Sequence, residues 1–173
     1  LGAIFAEGAG PSGYKPNVSA LSSDAFAQGG VIPDCTTGDV PYSPMFRYSW
    51  LKVIPALDAA PERADGSRRV RYTNPVDGGP VMTTLDCYAW RLARGRETAR
   101  YRTTANAVYL VVEGDGTSCV GEQTFEWRKH DVFTVPYWNW TSHKARSGQV
   151  HLFMFTDREI LRRLGLLREE SAA

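Results

Sequence analysis

The chain has 173 residues, of which 43% are hydrophobic and 23% are charged. This length fits one domain, or one domain with a long arm, and the composition excludes a disordered tail, a coiled coil and a collagen-like fibre. No apolar run approaches the roughly 20 residues that a membrane-spanning helix needs, so we expect no membrane partner. The first residues lack a secretory signal and a Met, which leads us to expect a chain that was cut, processed or expressed as a piece.

The charges are nearly balanced and the cysteines are few. A formal net charge of +1 gives no reason to expect a nucleic-acid partner. Most of the 20 basic residues are arginine, a residue that favours fixed ion pairs at contacts, so we expect a homo-oligomer. Cys35, Cys87 and Cys119 form neither a metal-binding pair nor a disulfide framework, and the expected location is a reducing cytoplasm.

The N-terminal part of the sequence predicts an irregular arm over residues 1–66. The first 60 residues are rich in Gly, Pro, Ala and Ser, and only Val18 to Gln28 could hold a short helix. Residues 45–50 then bring Met, Phe, Tyr and Trp together. This aromatic segment would either pack against a neighbouring molecule or cover one face of its own domain, and the sequence leaves both alternatives open.

The remainder, residues 67–173, predicts strands followed by one helix. Ala107 to Glu113 is almost entirely apolar and β-branched, as in a strand that is buried on both faces. Asp157 is the expected N-cap of the helix, Ile160, Leu161 and Leu164 its apolar stripe, and Gly165 its end. Many short strands with no helix between them predict an all-β antiparallel sandwich or barrel. The other predicted strands are 70–75, 81–92, 117–120, 123–127, 131–136 and 149–156.

Five stretches of this sequence resemble the gentisate 1,2-dioxygenase family, in the C-terminal half of its members. They are YSPMFRYSW (42–50), NAVYLVVEGDG (106–116), WRKHDVFTVPYWNW (127–140), HLFMFTDREIL (151–161) and LGLLREE (164–170). The resemblance implies a cupin, a double-sheet jelly-roll barrel, that is preceded in the whole enzyme by an N-terminal cupin. It also implies an enzyme in which histidines hold Fe(II), with open positions for the substrate and O₂.

The first cupin motif retains its glycines but none of its metal ligands. Counting from Gly95, the two histidine positions of the family motif fall on Tyr101 and Thr103, the glutamate position falls on Ala107, and the closing glycine is Gly114. Threonine and alanine do not hold ferrous iron, and a single tyrosine would bind ferric iron only weakly.

The second cupin motif gives the same result in an independent register. Aligned on Pro136, its two glycine positions fall on His130 and Trp138, and its histidine position falls on Thr141. The resemblance therefore implies no metal and no catalytic residue in this segment, with Fe(II) in the other cupin half. The possible pocket at these positions comprises Tyr101, Thr103, Trp138, Thr141 and His143.

Each of the three histidines has a structural interpretation beside any role in a site. We interpret His130 as a turn residue. His143 would face the mouth of the barrel or lie in a solvated loop, and the loop is favoured. His151 alternates with Phe153 and Phe155 on one strand face, which is typical of a core or interface histidine.

Three further features remain open. The cluster of Tyr137, Trp138 and Trp140 would stack an aromatic ligand or plug the end of the barrel, and the plug is favoured. Asn106 has no partner that the sequence identifies. A run of arginines predicts inter-subunit ion pairs more readily than plain surface or nucleic-acid binding; its members are Arg91, Arg94, Arg96, Arg100 and Arg102.

Three functional hypotheses follow. The first is a C-terminal, metal-free, structural and oligomerising cupin half of a gentisate 1,2-dioxygenase-like enzyme, which by its family converts gentisate and O₂ to maleylpyruvate. The second is a free-standing degenerate cupin that binds a small aromatic acid without converting it. The third is a purely structural assembly module.

Overall fold

The structure, a computed structural model, describes residues 42–172 and consists of two five-stranded antiparallel sheets. One sheet has the order β1-β2-β9-β4-β7 and the other the order β10-β3-β8-β5-β6. The predicted all-β class is confirmed. The elements are α1 (Trp50–Ala59), β1 (Arg68–Arg71), β2 (Asp86–Leu92), β3 (Tyr101–Thr103), β4 (Ala107–Glu113), β5 (Asp115–Val120), β6 (Gln123–Arg128), β7 (Val132–Val135), β8 (Thr141–Ala145), β9 (Val150–Thr156), α2 (Arg158–Arg163) and β10 (Glu169–Ser171).

The core lies between the two sheets and is rich in aromatic side chains. Along β4, Tyr109 and Val111 point inward and are fully buried, whereas Val108 and Leu110 point outward and are each 38% exposed. The prediction that this strand is buried on both faces is therefore wrong. An apolar outer face produced the continuous hydrophobic run from which that prediction was made.

Strands with strong β-forming composition are predicted well, and polar or short strands are not. β4, β6, β7 and β9 agree with the prediction to within one residue at each end. β3, β8 and β10 were not predicted, because each is short or consists mainly of polar residues. Pairing with neighbouring strands, rather than intrinsic propensity, determines these three.

Helix α1 lies inside the segment that the sequence predicted to be irregular. Its sixth residue, Pro55, has no N–H to donate to the preceding turn, yet Leu57 is fully buried and anchors the helix. The prediction of no helix there is wrong, and the helix predicted over 18–28 lies outside the described residues, as does Cys35.

The aromatic segment 45–50 partly covers its own domain. The Tyr48 hydroxyl donates to the Thr73 carbonyl oxygen at 2.7 Å, and the Trp50 ring packs edge-on against the His151 ring. Phe46, in contrast, is 70% exposed. Tyr48 and Trp50 therefore cover one face of their own domain, and packing of Phe46 against a neighbouring molecule stays a prediction.

Helix α2 begins and ends where the sequence predicted, but its buried residue is a glutamate. Gly165 ends it with a φ of 70°. Of the predicted apolar stripe, Ile160 and Leu161 are half-buried, whereas Leu164 is 63% exposed and its inclusion is wrong. The fully buried residue of the helix is Glu159. The Asp157 side chain does not cap the helix. Within residues 42–172, no helix is long and apolar enough to cross a membrane.

Glu159 joins α2 to the first sheet through a cluster of ion pairs. Its carboxylate accepts hydrogen bonds from Arg162 at 2.7 and 2.8 Å and from Arg163 at 2.8 Å. Arg71 lies 3.8 Å away and also binds the buried Asp86 at 2.7 Å. The hydrogen bonds from Arg162, together with those from Arg163, lower the pKa of Glu159 to about 2.

We expect Glu159→Gln to lower the free energy of unfolding by about 2 kcal/mol at pH 7, because charged hydrogen bonds to the arginines are lost. A carboxylate whose pKa is lowered on folding stabilises the protein above its unfolded pKa and loses this contribution as the pH falls toward its folded pKa. The difference between wild type and variant should therefore shrink from pH 6 toward pH 2 in urea unfolding.

The matched control is Glu122→Gln, at an exposed turn residue for which no ion pair is found among the described residues. It should unfold like the wild type at every pH. A pH-independent effect of Glu159→Gln would contradict the role assigned to the carboxylate charge.

Candidate functional site

The four glycine positions of the two cupin motifs share one backbone conformation. Gly95, Gly114, His130 and Trp138 have φ values of 70°, 86°, 75° and 60°. Side chains other than glycine rarely adopt this left-handed conformation. Its presence at His130 and Trp138 supports the register in which these two residues replace glycines, and it places His130 in a turn before β7, as interpreted.

Three of the four ligand positions meet at one small cavity. Tyr101, Thr103 and Ala107 line a space of about 40 Å³, with Glu169 at its rim. Thr141, fully buried, lies opposite Tyr101 in the pairing of β3 with β8. The fold therefore brings the four positions together, and the volume that remains between them has room for little more than a water molecule.

Tyr101 and Tyr109 close the interior where an iron site would lie. Their hydroxyl oxygens are 2.6 Å apart and form a hydrogen bond. Burial raises the pKa of Tyr101, and it raises the pKa of Tyr109 well above that of a free tyrosine. Both phenols are therefore neutral at ordinary pH.

His143 lies at the centre of the barrel, not in a solvated loop, and the favoured loop interpretation is wrong. Its side chain is fully buried in β8, with its ring 4.9 Å from the Tyr109 ring. The Trp127 indole N–H donates to Ser118 Oγ at 2.8 Å. Ser118 Oγ also forms a hydrogen bond of 2.7 Å with His143 Nδ1.

The two ring nitrogens of His143 have different surroundings. Nδ1 is hydrogen-bonded to Ser118, whereas no partner for Nε2 is found among the described residues. Burial lowers the pKa of His143 to about 4. A buried, neutral histidine surrounded by aromatic rings is a core residue, and its position could not be predicted because β8 itself was not.

The side chains at these positions do not fit ferrous iron. They offer one neutral phenol, two threonine hydroxyls and no imidazole or carboxylate, whereas iron sites of this kind require histidine or carboxylate donors. Within residues 42–172, no three His, Cys, Asp or Glu side chains are grouped as metal ligands.

Trp138 does not join the cavity of the ligand positions. The Arg102 guanidinium carbon lies 4.4 Å from the Trp138 ring centroid and 4.7 Å from that of Trp140. Both tryptophans are half-buried and Tyr137 is 65% exposed. The favoured interpretation of this cluster as a barrel plug is wrong, because the rings enclose an arginine at the surface.

Several polar residues whose partners the sequence does not identify form hydrogen bonds or ion pairs with residues far away in the sequence. Asn106 donates from its backbone and side chain to Asp157, both at 2.7 Å. Arg91 pairs with Asp58, and Arg102 pairs with Glu170 at 2.6 Å. The partner of Asn106 that the sequence did not identify is therefore Asp157. At least two arginines of the basic run are paired within the chain.

Known proteins similar to this chain are ring-cleaving dioxygenases. A 5-aminosalicylate 1,2-dioxygenase from Comamonas sp. is 38% identical over 135 residues, covering 75% of this chain and 36% of that protein. A gentisate 1,2-dioxygenase from Streptomyces sp. is 37% identical over 139 residues, covering 75% and 38% respectively. No protein-family profile matches the chain.

Solved structures agree with these relatives. A salicylate 1,2-dioxygenase from Pseudoaminobacter salicylatoxidans, in an adduct with gentisate, superposes with a TM-score of 0.82 at 30% identity. The superposition covers 87% of this chain and 43% of that one. A cupin-2 domain from Rhodospirillum rubrum, 16% identical with a TM-score of 0.51, shows the fold alone. The predicted cupin fold is confirmed, and the chain spans less than half the length of these dioxygenases.

We expect the stability contributed by neutral His143 to disappear in acid. A histidine whose pKa is lowered to about 4 on folding protonates first in the unfolded chain, so stability falls as the pH drops from 6.5 to 4. The loss amounts to about 3 kcal/mol. His143→Gln should remove this part of the pH dependence in urea unfolding at pH 7 and pH 4.

His130→Gln, in the turn before β7, is the matched control and should keep the wild-type pH dependence. Identical pH dependence in wild type and His143→Gln would contradict the neutral, buried state assigned to this imidazole.

Proposed function

Because the chain belongs to the gentisate 1,2-dioxygenase family, we propose that it is the C-terminal, metal-free cupin half of such an enzyme. The whole enzyme would cleave the ring of a hydroxybenzoate with O₂, converting gentisate to maleylpyruvate. This half would stabilise the two-cupin molecule and provide subunit contacts. Fe(II) and its ligands would belong to the N-terminal cupin half.

The observation that carries this proposal is the replacement of the metal ligands by a packed interior. The Tyr101 and Tyr109 hydroxyls bond to each other at 2.6 Å. The Tyr109 ring stacks on Phe133 with centroids 5.0 Å apart and planes 7° from parallel. Side chains packed in this way stabilise a barrel and leave no open position for O₂ or a ring substrate.

A second observation supports the contact role. An apolar groove of about 830 Å³ runs between the aromatic segment and the outer face of the first sheet. Its walls include Tyr42, Phe46, Leu110 and Phe153. Soluble monomers rarely expose a continuous apolar surface of this kind. We propose that another cupin, either the N-terminal half or a second copy of the chain, covers it.

The proposed location is the cytoplasm, where O₂-dependent catabolism of small aromatic acids would have its soluble substrates. The free thiols of Cys87, which is buried, and Cys119, which is half-buried, support a reducing compartment.

We expect the isolated chain, loaded anaerobically with Fe(II), to consume no O₂ when gentisate is added. The reason is that the side chains at the ligand positions cannot hold the Lewis acid that the reaction needs. The measurement is oxygen uptake at an electrode, with a gentisate 1,2-dioxygenase of the family as positive control.

A variant with histidines restored tests whether the barrel lacks only the ligand side chains or has also lost the backbone geometry that would bring them together. The combined changes Tyr101→His, Thr103→His and Thr141→His should let the chain bind one Zn(II), and the same positions changed to Asn should not. Gentisate-dependent O₂ uptake by the wild-type chain would overturn the proposal that this half is metal-free.

We also expect the chain to self-associate at micromolar concentration, because Phe46 offers an exposed ring at the edge of the groove. Phe46→Ser should weaken association about tenfold, the effect of losing part of a buried aromatic side chain. Sedimentation velocity over a concentration series measures this.

Leu164→Ser, at a similarly exposed apolar residue beyond α2, is the control and should associate like the wild type. A wild-type chain that stays monomeric, or equal weakening by both variants, would count against the groove as a contact surface.

A further inference from the structure

The chain that follows helix α2 returns to the barrel and adds an edge strand, β10, to the second sheet. β10 pairs antiparallel with β3, and backbone hydrogen bonds continue on both sides of this pairing. The Thr104 N–H donates to the Arg168 carbonyl oxygen at 3.0 Å. The Ala172 N–H donates to the Arg100 carbonyl oxygen at 2.9 Å. We call residues 166–172 the C-terminal strap.

The C-terminal strap has little apolar anchorage on the barrel. All three residues of β10 are exposed, and the apolar Leu166 is 57% exposed. Leu167 is half-buried, and every other residue of the strap is exposed. Segments that bury little apolar surface open at a lower free energy than the core of the same protein.

β3, in contrast, is anchored to the barrel by contacts that do not involve the strap. The Tyr101 hydroxyl is hydrogen-bonded to the Tyr109 hydroxyl at 2.6 Å. The Trp138 N–H donates to the Thr103 carbonyl oxygen, also at 2.6 Å. β3 can therefore stay in place when β10 separates from it.

Two arginine–glutamate pairs hold the strap to the barrel. Arg158 donates two hydrogen bonds to the Glu169 carboxylate, at 2.8 and 3.1 Å, and these bonds lower the pKa of Glu169. Two nitrogen atoms of Arg102 lie 2.6 and 2.7 Å from one Glu170 oxygen. The four side chains keep between 27% and 51% of their surface exposed, so dissolved salt screens both pairs.

The strap lies over two cavities on one side of the barrel. Glu169 is in the wall of the 40 Å³ cavity at the ligand positions and of a second cavity of about 210 Å³. Tyr101 also lines both cavities. Separation of β10 from β3 would therefore open both cavities to solvent from the same side.

We propose that the C-terminal strap detaches from β3 as one unit while the barrel stays folded, and that its two arginine–glutamate pairs control how often it opens. Opening admits solvent to the side of the barrel at Tyr101, and closing excludes it. This conformational property goes beyond the structural role proposed above and does not depend on iron or on a second cupin.

Amide hydrogen exchange, followed by ¹H–¹⁵N NMR on the 173-residue chain, measures this opening residue by residue. The amides of Thr104, Arg168 and Ala172 form hydrogen bonds between the strap and the segment around β3. They should share one opening equilibrium and exchange about a hundredfold faster than the core amides of β9. The Trp138 amide should stay protected, because its acceptor belongs to β3.

Sodium chloride at about 1 M should speed exchange of the three amides about fivefold, because it screens both ion pairs. The rates are divided by those of the urea-unfolded chain at the same salt concentration, which removes the effect of salt on the exchange chemistry. The amides of β9 are the internal control and should not respond.

Arg158→Gln should speed exchange of the same amides about tenfold, because two charged hydrogen bonds to the strap are lost. Glu169→Gln should act similarly, and the double variant should show no further increase, because both changes remove one interaction. The matched control is Arg146→Gln, which removes the ion pair with Glu126 at the opposite edge of the same sheet. It should leave exchange of the strap unchanged.

The proposal is overturned if the three amides exchange as slowly as those of β9, since the strap would then open only with the whole barrel. Much faster exchange at Ala172 than at Thr104 would contradict detachment as a unit. Exchange that responds to neither salt nor Glu169→Gln, or that responds equally to Arg146→Gln, would overturn control by the ion pairs.

Discussion

The hydrogen bond between the Tyr101 and Tyr109 hydroxyls is the contact on which the interior of this cupin depends. It joins β3 of one sheet to β4 of the other at the place where the cupin motifs would otherwise present metal ligands. Burial keeps both phenols neutral, so the bond costs no charge desolvation. Tyr101 thus replaces a ligand with a structural cross-link.

The residues around this bond form a continuous packed layer. Phe133 stacks on Tyr109 and also lies parallel to Trp127, whose indole N–H begins the hydrogen-bond chain through Ser118 to His143. Aromatic packing and a polar chain that ends at His143 therefore fill the interior of the barrel. Close packing of this kind stabilises a protein interior.

The sequence predicts those parts of the fold whose signals are local. The strand β4 and the positions of Gly95 and Gly114 follow from apolar runs and glycine spacing. It does not predict β8, whose residues Thr141 to Ala145 are mostly polar, because their burial depends on hydrogen bonds to distant residues such as Ser118. Since His143 lies in that strand, its burial was missed together with the strand.

The distinction between local signals and contacts with distant residues also applies to the charged side chains. Arginines could be counted, but their partners could not be identified, because Asp58 and Glu170 lie far from them in the sequence. Glu159 was likewise missed, because an apolar stripe was expected on α2 and the carboxylate is buried by three arginines from the two elements it joins.

The central claim is that packed tyrosine and histidine side chains fill the interior of the barrel beside the positions where the cupin motifs place metal ligands. Anomalous X-ray diffraction tests it directly. Crystals of the chain are soaked anaerobically in Fe(II), and data are collected at the iron absorption edge. The account predicts no anomalous peak inside the barrel and an intact hydrogen bond between Tyr101 and Tyr109. A well-occupied iron peak within coordination distance of the Tyr101 hydroxyl and His143 Nε2 would contradict it.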